Sequence, residues 1–370
     1  MTKLEDTVNE KEVVICVGPG GVGKTTISAA IALEGALSGK KTLALTIDPA
    51  RRLATSLGIS GKGRNVEVNK ARFKKTGYIP KGQLHVTMLD VKSTFDELID
   101  KVAPSKPQRD KILSNKYYQN VADSLAGSQE YMAMEALLSA YERGDYDLIV
   151  VDTPPSRHVL DFLSAPRRLV NVLDAKALRL VLKSYSFMNR LSFGFTKIWT
   201  SVALRVLEKI VGVDALQDVW EFFADFESVN EPLKRRAEET FRLLKSSKSV
   251  FLIVTVPGKP TLYDSISLYN NLTSNKFEVG GIIANRVYSK DGFLDLKNET
   301  KSLLKDSVLA EKLIKNFENY KRITESERKN LEEFKKSLKG KVPVISIPYL
   351  DVEVYDLERL LELREYLFSK

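Results

Sequence analysis

Apolar residues in this chain come in short, β-branched runs at 13–17, 42–47, 84–89, 148–151, 250–256, 279–283 and 342–347. Between most of them lie longer stretches with apolar positions at helical spacing. Strands covered on both faces read as continuous apolar runs, so this rhythm predicts an α/β fold, a mostly parallel sheet flanked by helices. Ligands in such sheets sit beyond the carboxyl ends of the strands. Most polar motifs of the chain fall there.

The rhythm stops after the fourth run. Residues 165–245 carry no strand pattern; Leu169, Leu173, Leu180, Phe187 and Leu191 lie at helical spacing, as do Phe195, Ile198, Val202, Val206 and Ile210. The expectation is a core domain of residues 1–164 and 246–370 with an α-helical insertion at 165–245. Within 165–209 stand nine Lys or Arg against two acids, Asp174 and Glu208, a local excess of seven positive charges in a chain of formal charge +9. Phe187, Met188, Phe195 and Trp199 cluster near its middle. Either they pack on the core or on a sister subunit, or they form a groove for an apolar helix or a membrane-facing surface ringed by cations. Residues 290–341 read as a separate Lys/Glu-rich helical stretch with a solvated face.

Directly after the first run comes Gly18-Pro19-Gly20-Gly21-Val22-Gly23-Lys24-Thr25-Thr26. The glycines let the backbone curl until several N–H groups face a phosphate, and the helix that starts near Lys24 adds its positive end. Lys24 supplies a mobile charge, and the Thr25 hydroxyl can ligate magnesium. Gly18, Gly20 and Gly23 also satisfy the dinucleotide pattern G-x-G-x-x-G, but a dinucleotide pyrophosphate needs neither the lysine nor the hydroxyl. The loop therefore predicts a P-loop NTPase. After the second run, Asp48-Pro49-Ala50-Arg51-Arg52 places a carboxylate at a strand tip, where it can orient water or hold the magnesium shell. The fourth run ends in Asp152 and leads into Thr153-Pro154-Pro155-Ser156-Arg157-His158, the placement of a second, Walker-B-type acid.

Composition narrows this further. With 57 Lys plus Arg against 48 Asp plus Glu, the charge permits an acidic partner, nucleic acid or an anionic membrane surface without requiring any of them; no nucleic-acid partner is expected. A single cysteine, Cys16, excludes disulfides and thiolate metal sites, and two histidines, His85 and His158, make no histidine metal site. No export signal and no uninterrupted run of 18 apolar residues is present, so a cytosolic protein is expected, with the membrane periphery as an alternative place of work.

Gly-Gly-Val-Gly-Lys-Thr-Thr, Asp48-Pro49-Ala50, Asp152-Thr153-x-Pro155-Ser156-x-His158, Asn285-Arg286 and Pro348-Tyr349-Leu350 stand in an order that resembles the family of the arsenite pump-driving ATPase ArsA and the ATPase that targets tail-anchored membrane proteins. The resemblance covers nearly the whole chain. It implies a cytosolic, magnesium-dependent ATPase working as a nucleotide-gated dimer. Gly20 to Thr26 would hold the phosphates, with Lys24 and Asp48 catalytic. Asp48, Pro49, Arg51 and Arg52 would fall in the first switch, and Asp152, Pro155, Arg157 and His158 in the second. Thr25, Asp48 and Asp152 would serve magnesium, and Asn285 with Pro348, Tyr349 and Leu350 the adenine. The insertion, with Phe187, Met188, Phe195 and Trp199, would receive a hydrophobic protein segment or a membrane-associated partner. A scaffold or membrane-surface switch of the MinD/ParA kind is the alternative.

The chain departs from that pattern at informative places. The family's loop begins Gly-Lys-Gly-Gly, and the lysine reaches across the dimer; here Pro19 takes its place. Either Arg51, Arg52 or Arg157 supplies the missing cation, or the chain pairs with a lysine-bearing paralogue as a heterodimer rather than with itself. The Cys-x-x-Cys that holds an interfacial zinc is absent, so no zinc is expected, and one thiol cannot hold arsenite.

Overall fold

A computed structural model describes residues 3–47, 52–57, 65–115, 128–154, 213–288, 307–350, 354 and 356–368. These divide into two compact units, one within Met1–Met88, Ala140–Leu160 and Leu243–Lys370, the other within Leu89–Ser139 and Asp161–Arg242.

All seven apolar runs form strands of one sheet in the first unit: β1 (Val13–Val17), β2 (Lys41–Thr46), β4 (Gln83–Met88), β5 (Leu148–Asp152), β6 (Ser249–Thr255), β7 (Val279–Val287) and β8 (Val344–Pro348). An eighth, β3 (Val66–Glu67), pairs antiparallel on the edge of β4; every other pairing is parallel. The spatial order is β3-β4-β2-β5-β1-β6-β7-β8. β1 is thus central, with Cys16 opposite Asp152 on β5 on one side and Leu252 on β6 on the other. The chain leaves β1 toward β2 first and toward β6 later, so the order reverses beside β1, where such folds bind ligands.

Every residue of β1, β5 and β6 is buried. Helix α2 (Lys24–Leu37) is apolar nearly all round, burying Ile27, Ile31 and Leu33 on the sheet, and the last helix, Leu357–Phe368, closes the same core with Leu360, Leu361 and Leu367. The Glu34 carboxylate of α2 is paired with Arg364 of that last helix. The Lys/Glu-rich stretch contains the helix Ser307–Ser337, along which most described side chains are exposed.

The second unit is helical in its described part. Helices α4 (Val91–Val102), α5 (Lys106–Ser114) and the larger part of α6 (Ser128–Arg143) and α7 (Val213–Lys245) belong to it. Phe95, Leu98, Ile99 and Val102 form one stripe of α4 and pack with Val229, Leu233 and Ala237 of α7 and with Tyr131 and Met132. Asp90 caps α4, its carboxylate accepting from the Ser93 N–H at 3.0 Å. Between α6 and α7, Arg236 donates to both Glu135 oxygens, at 2.8 and 2.6 Å, and Ser139 donates to Glu135 Oε1 at 2.7 Å. Pro232 stands inside α7, where it removes one backbone donor. Phe187, Met188, Phe195 and Trp199 lie outside the described residues, as does the insertion from 165 to 212.

Candidate nucleotide-binding site

The glycine-rich loop joins β1 to α2 at the carboxyl edge of the sheet. Three of its glycines meet different demands. At Gly18 (φ 152°) a Cβ would lie 2.1 Å from the Val254 carbonyl oxygen, so the loop's first residue presses against β6. At Gly23 (φ 94°), the N-cap of α2, a Cβ would fall 2.4 Å from Asn285 Nδ2. Gly21 (φ 75°) turns the chain in open space, with nothing within 4 Å of its Cβ direction. Outer packing therefore pins the loop, and its tip stays open. Gly23 has no side chain with which to cap α2, which leaves the first-turn N–H groups for an anion.

Lys24, though buried, folds back over the loop. Its Nζ donates to the Gly18 carbonyl at 3.0 Å and to the Pro19 carbonyl at 2.8 Å. An ammonium held by two neutral carbonyls of its own loop is exchangeable for a phosphate oxygen, a stronger, charged acceptor. Thr25 and Thr26 are half-buried in the first turn of α2. Pro19 is buried, Gly20 exposed and Val22 buried.

Asp152 ends β5 fully buried, and its Oδ2 accepts from the hydroxyl of Thr46, the last residue of β2, at 3.1 Å. Thr153 donates to the Cys16 carbonyl at 2.7 Å, tying the exit of β5 to β1. Burial pushes the Cys16 thiol up to about 12; a bond to Ser28 and the Lys24 charge act against that rise, and the Asp152 charge adds to it. Cys16 is thus a protonated packing residue that feels both the ammonium and the carboxylate of the site.

The sixth apolar run, 279–283, stops short of the Asn285-Arg286 pair; the structure extends that strand to Val287 and places the pair within it. The β7–β8 register shifts between Ala284 and Val287, a bulge that takes in both residues. Asn285 is buried and donates through Nδ2 to the Val22 carbonyl at 2.9 Å, while its Oδ1 accepts from the Arg286 N–H at 3.0 Å. Arg286 reaches the neighbouring loop carbonyl, Gly21 O, at 3.3 Å. Of the Pro348–Leu350 segment, Leu350 packs against the core, whereas Tyr349 is 46% exposed and stacks on Tyr288 at 4.8 Å. The Tyr349 N–H donates to Val287 O at 2.9 Å, which keeps this segment beside β7.

The structure therefore gathers Gly18 to Thr25, Asp152, Thr46 and Asn285 around the carboxyl edge of β1, β5 and β7. Asp48, Pro49, Arg51, Pro155, Arg157 and His158 lie outside the described residues, as does the side chain of Arg52. Sequence reasoning missed Thr46 and Arg286 as parts of the site. Thr46 carried a signal, being a polar residue next to the end of an apolar run; Arg286 carried only its adjacency to Asn285.

A glycine-rich loop between a central parallel strand and a helix, with a buried acid ending the next strand, defines the P-loop NTPase class. The sequence profile of the family described as anion-transporting ATPase, the ArsA ATPases, matches residues 11–293. The chain belongs to that family, and ATP hydrolysis is its reaction class. It is 25% identical to ATPase GET3 of Malassezia globosa over 367 residues, 98% of this chain and 93% of that protein. It is 26% identical to putative arsenical pump-driving ATPase 2 of Aquifex aeolicus over 357 residues, 95% of this chain and 97% of that one. With ATPase ASNA1 homolog 2 of Paramecium tetraurelia it shares 24% over 274 residues, covering 74% and 75%.

Proposed function

We propose that this ATPase is magnesium-dependent and works as a dimer that opens and closes with its nucleotide to capture or deliver a hydrophobic protein segment. The observation that carries the nucleotide part is Lys24, buried and folded onto the Gly18 and Pro19 carbonyls above a loop pinned from outside. Lys24 leaves those carbonyls for phosphate oxygens, and the N–H groups of Gly20 to Thr26 orient the phosphates. Asp48 orients the attacking water, and Asp152, braced by Thr46, couples the phosphate end to the switch that follows β5.

Among the described residues no three His, Cys, Asp or Glu side chains form a ready-made metal cage. Magnesium in phosphate sites needs none, because one or two protein oxygens, waters and the phosphates complete its octahedron. Thr25, with Asp48 and Asp152 in the surrounding shell, fits that donor set. When bound, magnesium neutralises charge on the phosphoryl oxygens.

The hydrophobic-segment reading rests on the apolar cluster Phe187, Met188, Phe195 and Trp199 and on the name ATPase GET3 borne by relatives. The family resemblance further implies a protein that works in the cytosol; among the described residues no helix is long and apolar enough to cross a membrane. One observation favours the rival, a membrane-surface switch: nine cations against two acids in 165–209. The proposal is tested by the solution mass with magnesium and a non-hydrolysable ATP analogue, alongside phosphate release by wild type and Asp48→Asn. A nucleotide-dependent homodimer whose turnover is lost in the variant is expected. A persistent monomer without turnover would replace the homodimer by a heterodimer with a lysine-bearing paralogue.

A further inference from the structure

Consecutive residues at the end of β7 grip consecutive carbonyls of the phosphate loop: Asn285 holds Val22 O at 2.9 Å and Arg286 holds Gly21 O at 3.3 Å. Such a pairing demands that two adjacent side chains on a strand, which alternation would send to opposite faces, both reach one loop. The bulge between Ala284 and Val287 achieves it. Arg286 there takes φ 57°, a left-handed backbone conformation that branched and long side chains rarely adopt, and the Asn285 carboxamide accepts its N–H. Strain of this kind persists only where the surroundings enforce it, and it concentrates at ligand sites.

The direction of the contact identifies the part of the ligand concerned. Gly21 is exposed and has nothing within 4 Å of its Cβ direction. A guanidinium that donates to Gly21 O therefore stands at the open tip of the loop, on its rim. Arg286 is exposed, and its charge is felt at Tyr288, the ring that stacks on half-exposed Tyr349. Its flat, weakly hydrated cation thus touches the loop tip from the strand whose end leads into that aromatic pair, a combination suited to stacking on a purine and meeting a ribose oxygen.

We propose that Arg286 is a nucleotide-contacting residue that holds the base and ribose of bound ATP, with its Gly21 contact fixing the guanidinium in place. This inference rests on the nucleotide-binding reading above. Three proteins test it, wild type, Arg286→Ala and Arg286→Lys, each titrated with ATP, with ADP and with inorganic tripolyphosphate in the presence of magnesium; steady-state turnover and thermal unfolding are followed in parallel. Loss of one stacked contact should weaken ATP and ADP about tenfold and to equal extents in Arg286→Ala. Tripolyphosphate affinity should change less than twofold, and lysine should restore only part of the loss, since it lacks the plane.

Equal weakening of tripolyphosphate would put Arg286 on the phosphates and overturn the assignment. A fall in kcat with unchanged affinity would do the same, as would a lowered unfolding temperature with all affinities intact, which is the signature of a mere brace. If wild type binds neither ATP nor tripolyphosphate, the nucleotide-binding reading itself has failed. If it binds both and Arg286→Ala matches it, only the present inference falls.

Discussion

Gly18 and Gly21 both adopt positive φ, yet they answer to different forces. A Cβ on Gly18 collides with the Val254 carbonyl at 2.1 Å, a backbone atom that cannot swing aside, whereas one on Gly21 meets nothing. Gly18→Ala combines overpacking with left-handed strain and should destabilise the protein by about 3 kcal/mol. Gly21→Ala carries only the strain, about 1 kcal/mol. Urea unfolding of both variants checks the ranking; equal losses would mean that β6 yields to the loop and that the loop is not pinned from that side. Nearby, Lys24 illustrates what spacing alone can establish. Its presence in the motif pointed to a phosphate, but its resting place on the Gly18 and Pro19 carbonyls follows from the curl of the loop, which the letters do not specify.

At the scale of elements, the interaction most exposed to test is the ion pair joining α6 to α7. Arg236 and Glu135 have side chains 13% and 3% exposed, and Ser139, itself contacted by Lys101 at 2.6 Å, donates to the same carboxylate. Removing one partner strands a buried charge, so Arg236→Met should cost about 3–5 kcal/mol, while the double replacement Glu135→Leu with Arg236→Met should regain most of that loss. Chemical denaturation of wild type, both single variants and the double variant completes the cycle. A double variant as unstable as Arg236→Met would mean that packing, not charge, joins these helices. The same level shows where the sequence was legible. Buried parallel strands declare themselves as apolar runs, and all seven were readable; β3, two residues with only Val66 apolar, had no pattern to offer. Nor did periodicity separate α4 and α5 from the helices that alternate with strands, because a stripe such as Phe95, Leu98, Ile99 and Val102 fits a helix partner as well as a sheet. The bulge at Asn285 and Arg286 was invisible for a similar reason, since hydrophobic alternation records which face is buried but not where a register slips.

For the whole molecule the decisive quantity is the balance between its charge and its apolar surface. Reversing a 1:99 equilibrium between open and closed states requires about ten-thousand-fold preferential binding, about 5.5 kcal/mol, so nucleotide must contact both states very differently to gate anything. What such a gate would act on separates the two proposed readings of the insertion. Nine cations within 165–209 near an anionic bilayer would each contribute about 1 kcal/mol at moderate salt, a contribution that shrinks as the screening length falls from about 10 Å at 0.1 M to about 3 Å at 1 M. Burial of an apolar helix, at about 25 cal/mol per Å², has no such dependence and is strengthened, if anything, by excluded salts. With magnesium and a non-hydrolysable ATP analogue present, capture of an apolar peptide should therefore stay within about twofold between 0.1 and 0.5 M salt, and vesicles of anionic lipid should retain little of the protein. Peptide capture is read by fluorescence anisotropy and lipid association by co-sedimentation. Strong vesicle binding that collapses with salt, together with no measurable peptide affinity, would move the function from carrying hydrophobic segments to switching at a membrane surface. The P-loop site would stand unchanged in either case, because Lys24, Asp152 and Asn285 bond to Gly18, Pro19, Thr46 and Val22, all of the first unit.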